Sequence, residues 1–282
     1  MALEVDILGV AKIIAIANQK GGTGKTTTAL NLGVYLAIMG KKVLLVDIDP
    51  QGNATQGLGI KPENLATHVY HALMGKVSGA DIKRSSGIFG YDLLPAAADL
   101  AGATVELVDL PEREFKLKSL LESFVDEYDY ILIDCPPSLG LLTINGFVAA
   151  NEILVPVQCE FFSIQGLNQL MGTISLMKDN LGTDINILGA LITLYDKRSA
   201  THRNIAKDLR RNFDGRVFDT IIPRNSALAS APAKGQTIFQ TDPESQGAAA
   251  YKQLAEEIVR IHGGIENPIV STEEIEGTID TD

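Results

Sequence analysis

Two lysines flank a short glycine-rich stretch near the start of the chain, in NQKGGTGKTTT at residues 18–28. Glycines at this spacing let backbone amides approach an anion, and the N-terminus of a following helix adds a positive dipole. Lys25 has the position of a lysine that reaches the β- and γ-phosphates of a nucleotide, and the Thr26 hydroxyl has that of a Mg²⁺ ligand. The predicted nucleotide-binding residues are Gly21, Gly22, Thr23, Gly24, Lys25, Thr26 and Thr27. A plain glycine turn before a helix is the alternative.

Carboxylates end two of the apolar strand candidates further along the chain. Asp47 and Asp49 close KVLLVDID, and Asp134 follows YILI. Ligands of open α/β sheets gather at the carboxyl ends of the strands, and phosphoryl transfer needs acids near its metal ion. We predict that Asp134 holds a water molecule on Mg²⁺. Taken alone, each aspartate would serve equally well as a helix cap or turn residue.

The elements that must position these residues alternate along the chain. Apolar, β-branched runs are separated by helical patterns such as residues 25–40, and residues 247–262 resemble a closing helix. This alternation predicts an α/β fold with a doubly wound, mostly parallel central sheet and helices on both faces. One domain is predicted over residues 1–262, including a short extension at 1–11, followed by an acidic tail at 263–282. The strand candidates are 12–18, 42–49, 91–96, 130–136, 152–157, 186–194 and 217–223.

Length and composition narrow the class of protein. The 282 residues are 45% hydrophobic and 21% charged, which is ordinary for a globular protein. No apolar run approaches the roughly 18 to 20 residues that span a bilayer, and the first residues lack the pattern of a secretory signal. We therefore expect a cytoplasmic protein. Cys135 and Cys159 match no metal-binding spacing and are interpreted as core thiols.

The net charge of −11 is unevenly distributed. Residues 263–282 contain six acids and no lysine or arginine, so removing them would change the charge from −11 to −5. Residues 197–211 contain six basic side chains and one acid, a local excess of five positive charges. A solvated helix face would explain this basic segment, and so would a surface for a polyanion.

Four blocks of sequence carry a family resemblance: KGGTGKTTTALNLG, VLLVDIDPQGNAT, YILIDCPPSLG and IPRN. From about residue 12 to about residue 262, the chain resembles the ParA branch of the ParA/MinD ATPases. The resemblance implies ATP and Mg²⁺ as ligands and a homodimer that encloses two ATP molecules. It also gives a role to Lys20, the second lysine of the loop, which would neutralise charge on the partner's nucleotide. A surface lysine before a turn is the alternative for Lys20.

The resemblance also implies roles at individual positions. Asp49 matches the aspartate that orients the attacking water, so the implied catalytic residues are Lys20, Lys25 and Asp49. The implied metal site consists of Thr26, Asp47 and Asp134. Pro223 and Asn225 resemble the residues of an adenine pocket, and Glu160 resembles a residue near the dimer interface.

A second surface is implied for DNA. Dimers of the ParA type bind double-stranded DNA without sequence preference on the nucleoid, and a ParB-like adaptor releases them by stimulating hydrolysis. The residues predicted to contact DNA are Lys197, Arg198, Arg203, Lys207, Arg210, Arg211, Arg224 and Lys234. After IPRN, SALASAPAKG departs from the family's usual continuation, which predicts a weaker or displaced patch.

Three other kinds of site fit the sequence less well. A MinD-like ATPase that acts on a membrane would need a basic amphipathic C-terminal helix, whereas this C-terminus is acidic. Relatives that share an iron–sulfur cluster need paired cysteines, and Cys135 has no companion at a suitable position. His68 and His71 have metal-binding spacing on a helix, but an ordinary amphipathic helix explains them better. The cargo stays open among a chromosome, a plasmid and a protein assembly.

Overall fold

The computed structural model describes residues 11–160 and 163–263. Apart from Ala11 and Gly263, the predicted N-terminal extension and the predicted acidic tail lie outside the described residues.

A single sheet organises the described part of the chain. Its strands are β1 (Lys12–Ile16), β2 (Val43–Asp47), β3 (Arg84–Ile88), β4 (Tyr91–Leu94), β5 (Tyr130–Asp134), β6 (Glu152–Gln158), β7 (Asn186–Tyr195) and β8 (Val217–Pro223). They lie in the order β3-β4-β2-β5-β1-β6-β7-β8, and only the β3–β4 pair is antiparallel among the pairs described. The predicted doubly wound, mostly parallel α/β fold is confirmed.

Helices follow most of the strands. They are α1 (Lys25–Ile38), α2 (Asn53–Gly57), α3 (Val69–Leu73), α4 (Gly79–Ile82), α5 (Leu100–Glu106), α6 (Lys116–Leu121), α7 (Leu141–Ala149), α8 (Ser163–Leu181), α9 (Ala200–Asn212), α10 (Ser226–Ser230), α11 (Ile238–Thr241) and α12 (Gln246–His262). Short 3₁₀ helices cover Pro62–Asn64, Leu107–Asp109 and Pro232–Lys234.

Both faces of the sheet are buried. Successive residues of β5 lie on opposite faces of the sheet. Ile131 packs on the side of α7, α8 and α9, and Leu132 packs on the side of α1 and α12. A strand that is covered on both faces has no polar alternation, which is why its sequence is a continuous apolar run. The two clusters hold the carboxyl ends of the central strands in fixed positions.

Helix α1 is locked closely against the sheet. A Cβ atom on Gly33 would collide with the hydroxyl group of Tyr91, which donates a hydrogen bond to Ala29 O at 3.2 Å. The glycine lets the helix backbone approach the β4 side chain. This contact fixes the helix whose N-terminus faces the candidate site.

Candidate functional site

The glycine-rich loop joins the end of β1 to the start of α1. Gly22 and Gly24 have φ values of 73° and 87°, a left-handed conformation that glycine adopts without a Cβ penalty. In the part of the chain that the structure describes, no side chain caps the N-terminus of α1. Its first backbone N–H groups are therefore available to an anion.

A cavity of about 370 Å³ opens over this loop. The first group of lining residues comes from the glycine-rich loop, the start of α1 and the segment after β2: Gly21, Gly22, Gly24, Lys25, Thr26, Thr27, Asp49, Gln51 and Asn53. Its second group is Pro137, Thr193, Leu194, Ile222, Asn225, Leu228, Ala229 and Tyr251. The first group is polar and has the chemistry to bind phosphates, while the second contains most of the apolar surface that a base would contact.

Lys25 is held inside the loop. Its side chain is buried, and its Nζ donates to the backbone oxygen of Lys20 at 3.1 Å. Burial lowers the pKa of Lys25, and the negative field of Asp134 opposes that effect. The amine therefore lies against the loop backbone, at the wall of the cavity.

Two buried aspartates lie side by side at the ends of β2 and β5. Asp47 and Asp134 are paired in register, and burial raises the pKa of both. Oδ2 of Asp134 accepts a hydrogen bond from Thr26 Oγ1 at 2.7 Å. Within the described residues, Oδ1 of Asp134 is buried and has no hydrogen-bond partner. An unpaired carboxylate oxygen beside a threonine hydroxyl fits Mg²⁺, which binds oxygen ligands and keeps water in its shell.

Asp47, which was also predicted in the metal site, is hydrogen-bonded to the segment that follows β2. Oδ2 accepts from Thr55 N at 2.8 Å and from Thr55 Oγ1 at 2.7 Å, while Oδ1 accepts from Asp49 N at 3.1 Å. Like Asp134, Asp47 does not line the cavity itself. It fixes the backbone of Asp49, which does line the cavity.

Of the predicted adenine-pocket residues, only Asn225 lines the cavity. Its Oδ1 caps α10 by accepting from Ala227 N at 2.8 Å and Leu228 N at 3.2 Å. Pro223 instead lines a second cavity, of about 540 Å³, because successive residues of β8 point to opposite faces of the sheet. The residue before it, Ile222, lines the first cavity.

Sequence reasoning missed Tyr251 in this pocket. The tyrosine is buried on α12, and its hydroxyl lies 3.1 Å from Thr28 Oγ1 on α1. More than two hundred positions separate the two residues, and no motif surrounds the tyrosine. Only the packing of α12 beside α1 reveals that the tyrosine lines the cavity.

Lys20 makes an ion pair with Glu160 of the same chain. The two side chains are 48% and 53% exposed, so water surrounds much of the pair. The structure brings together the two residues that were predicted at a dimer interface. Their contact here is within one chain.

Seven of the eight predicted DNA-contacting residues form two groups and one separate position. Lys197, Arg198 and Arg224 line the second cavity at the ends of β7 and β8. Arg203, Lys207 and Arg211 follow one another at four-residue steps on the exposed side of α9, away from its buried residues Ala206 and Leu209. Lys234 lies apart on a 3₁₀ helix that packs near α2.

Hydrogen bonds within the chain restrain several of these cations. Arg198 binds Asp196 through Nε and Nη2, each at 3.1 Å, and Arg210 donates to the backbone oxygen of Phe218 at 3.3 Å. Among the described residues, Lys207 and Arg211 make no salt bridge. The α9 face therefore presents cations that are available to an anion.

The other candidates give no metal site in the described residues. No group of three metal-binding side chains occurs there, and His68 and His71 simply pack against each other at the start of α3. Cys135 and Cys159 are buried and free. Among the helices that the structure describes, none combines the length and apolar character needed to cross a membrane.

Comparison with known proteins gives a consistent result. Residues 11–187 match the model of a family described as an AAA domain. The chain is 48% identical over 249 residues to the sporulation initiation inhibitor protein Soj of Bacillus subtilis, which covers 88% of this chain and 98% of that protein. It is 46% identical over 254 residues to the chromosome-partitioning ATPase Soj of Treponema pallidum, and this alignment covers 90% of this chain and 99% of that protein. A crystal structure of cobyrinic acid a,c-diamide synthase from Mycobacterium smegmatis, with bound ADP and magnesium, matches with a TM-score of 0.80 at 38% identity and covers 90% of this chain and 96% of that one.

Proposed function

The chain belongs to the Soj/ParA family of chromosome-partitioning ATPases, and from that premise we propose that it is an ATP- and Mg²⁺-dependent partition ATPase whose ATP-bound dimer binds DNA nonspecifically. The observation that carries the proposal is the cavity itself, which is lined by the glycine loop, Lys25 and Thr26, with Asp134 hydrogen-bonded to Thr26. The M. smegmatis protein is described as a synthase. The two Soj relatives have higher identity to this chain, and the proposal follows them.

The residues of the cavity have separate tasks in this proposal. Backbone amides from Gly21 to Thr27 bind the phosphates, and Lys25 neutralises the charge at the β- and γ-phosphates. Thr26 and Asp134, with Asp47 beside it, would hold Mg²⁺. When bound, Mg²⁺ neutralises charge that develops on the phosphate oxygens. Asp49 orients the attacking water.

The apolar part of the cavity would hold the adenine. Ile222 and Leu228 supply flat apolar surface, Tyr251 closes the space from α12, and Asn225 provides a polar group at the edge. A pocket with a few polar groups among apolar ones fixes the orientation of a base. We place Asn225 in that role.

Lys20 would act on the nucleotide of the second subunit. In the described chain it contacts Glu160, so the ATP-bound dimer requires this pair to separate. An exposed ion pair is worth only about 0 to 1 kcal/mol, so the bound phosphates of a partner compete with it easily. A cation supplied in trans accelerates phosphoryl transfer by roughly 10³- to 10⁵-fold when it acts fully.

We expect slow hydrolysis by the chain alone. The carboxylate of Asp49 accepts a hydrogen bond from Gln51 N at 2.9 Å, which ties it to its own loop. The position from which Asp49 orients a water molecule therefore depends on that loop. A ParB-like adaptor would speed the reaction by ordering the loop or by adding a cation, and DNA would then be released.

DNA binding is assigned to the groove with Lys197, Arg198 and Arg224 together with the exposed face of α9. Arg203 of α9 donates to the backbone oxygen of Lys197 at 2.7 Å, so the two groups adjoin, whereas Lys234 is separate. Contacts with phosphates position a protein on DNA without reading its sequence. The proposal therefore places the protein at the nucleoid of the cytoplasm.

The test is binding to random-sequence duplex DNA with ATP, with ADP and without nucleotide, across a salt series. We expect binding only with ATP, and for about six to ten phosphate contacts a loss of roughly 10³- to 10⁵-fold between 50 and 200 mM salt. Lys20→Ala should bind ATP and fail to bind DNA. Absence of DNA binding with every nucleotide would refute the DNA part and direct the search to vesicles of anionic lipid and to protein partners.

A further inference from the structure

Leu194 has an unfavourable backbone conformation at the wall of the nucleotide cavity. Its φ is 52°, in the left-handed region, and the side chain lines the cavity. Among the described residues, Glu112 is the only other non-glycine residue with positive φ. Leucine populates this region about 5- to 30-fold less readily than the right-handed one. Surrounding structure must hold such a residue in place, and residues of this kind concentrate at functional sites.

The residue before Leu194 is fastened to the phosphate loop. Thr193 is buried, and its Oγ1 donates to the backbone oxygen of Thr23 at 2.7 Å. The position where Gly24 would carry a Cβ lies 3.8 Å from the Thr193 side chain. A shift of the loop is therefore passed directly to β7.

The residues after Leu194 belong to the basic groove. Tyr195 O accepts a hydrogen bond from Arg224 N at 2.9 Å, and the carboxylate of Asp196 holds the Arg198 guanidinium. The pairing of β7 with β8 is irregular between Ile192 and Tyr195. One strained residue thus lies between a residue tied to the phosphate-binding loop and a segment that contacts the Arg224 backbone and the Arg198 side chain.

We propose that Leu194 is a positioning residue that couples occupation of the nucleotide cavity to the arrangement of Arg198 and Arg224 in the basic groove. A ligand in the cavity acts on the phosphate loop, which is fastened to the residue before Leu194, and the Leu194 backbone transmits the shift. The backbone relaxes by turning the segment around residues 194–196, which moves the groove. The ligand therefore shifts the equilibrium between two arrangements of residues 194–196. The use of the groove for DNA rests on the proposed function, but the coupling does not.

Two substitutions separate the backbone effect from the side chain. Leu194→Ala removes most of the side chain and keeps the penalty on positive φ, whereas Leu194→Gly removes both. The Gly variant should unfold at a higher denaturant concentration than the Ala variant, which shows that the strain is present. Both variants are studied at saturating nucleotide, so that weaker binding does not imitate lost coupling.

The first readout needs no DNA. Hydrogen–deuterium exchange of the peptide covering residues 195–203 is measured with and without a non-hydrolysable ATP analogue and Mg²⁺. We expect a nucleotide-dependent change in the wild type and in Leu194→Ala, and its loss in Leu194→Gly. An unchanged response in the Gly variant, equal loss in both variants, or no response in the wild type would each overturn the coupling.

The second readout is the ratio of duplex-DNA affinity in the ATP-analogue state to that in the ADP state. This ratio should fall about 5- to 30-fold in Leu194→Gly and stay within about twofold in Leu194→Ala, given the conformational preference involved. If the wild type binds no DNA while the exchange response follows the expected pattern, the DNA function fails and the coupling stands. A preserved affinity ratio in the Gly variant overturns the coupling.

Discussion

Replacing Glu160 by glutamine should strengthen dimerisation in the presence of ATP. The Lys20–Glu160 pair has to separate before Lys20 reaches a second subunit, and Glu160→Gln removes the charge that retains it. Because the two side chains are 48% and 53% exposed, the pair contributes only about 0 to 1 kcal/mol. A symmetric dimer releases two such pairs, so the association constant should rise by up to roughly 30-fold.

Sedimentation equilibrium with a non-hydrolysable ATP analogue and Mg²⁺ measures this change at about 0.1 M salt, where exposed charges within about 10 Å still interact. The gain should shrink at about 1 M salt, where the screening length is about 3 Å. Glu127→Gln is a matched control, because Glu127 is also 53% exposed and pairs with Lys83 at 3.0 Å outside the lining of the nucleotide cavity. A weaker dimer in Glu160→Gln would refute the reasoning, since it would mean that Glu160 stabilises the dimer more than it restrains Lys20.

Three further predictions concern hydrolysis, DNA and the fold. Asp49→Ala should keep nucleotide affinity, measured by calorimetry, and slow phosphate release by roughly 10²- to 10⁴-fold; normal hydrolysis would show that another group orients the water. Lys207→Gln should reduce the slope of log affinity for DNA against log salt by about one per subunit, whereas Lys118→Gln on α6 should leave it unchanged. Gly33→Ala should lower the free energy of unfolding in urea by about 1 to 3 kcal/mol, because the new methyl group meets the β4 tyrosine hydroxyl. Gly172→Ala on α8 has open space and should instead raise it by about 0.5 to 1 kcal/mol.

Much of the sheet was predictable because its strands are buried on both faces. Each of the seven predicted strands overlaps an observed one, and the family membership drawn from four sequence blocks is confirmed. Strand β3 was missed. It has the sequence RSSGI, lies at the edge of the sheet and alternates between exposed and partly buried residues, so it lacks the apolar run that marks the others.

The site was less predictable than the sheet. The loop from Gly21 to Thr27 is one continuous motif, and Asp134 ends one apolar run. The hydrophobic pattern therefore predicts where both lie relative to the strands and helices. The base pocket depends on contacts between distant segments, which is why Tyr251 had no sequence signal. The choice between Pro223 and Ile222 depends on which face of β8 each residue occupies, and the IPRN block alone does not specify it.

The most direct measurement of the central claim is ATP hydrolysis by a mixture of two inactive variants, Lys20→Ala and Asp49→Ala. In a mixed dimer, the site of the Lys20→Ala subunit keeps its own Asp49 and receives Lys20 from its partner. Random pairing of equal amounts makes half of the dimers mixed with one complete site each, so activity should return to about a quarter of the wild-type value. If Lys20 acts only within its own chain, no mixed dimer has a complete site, and a mixture as inactive as the separate variants would contradict the account.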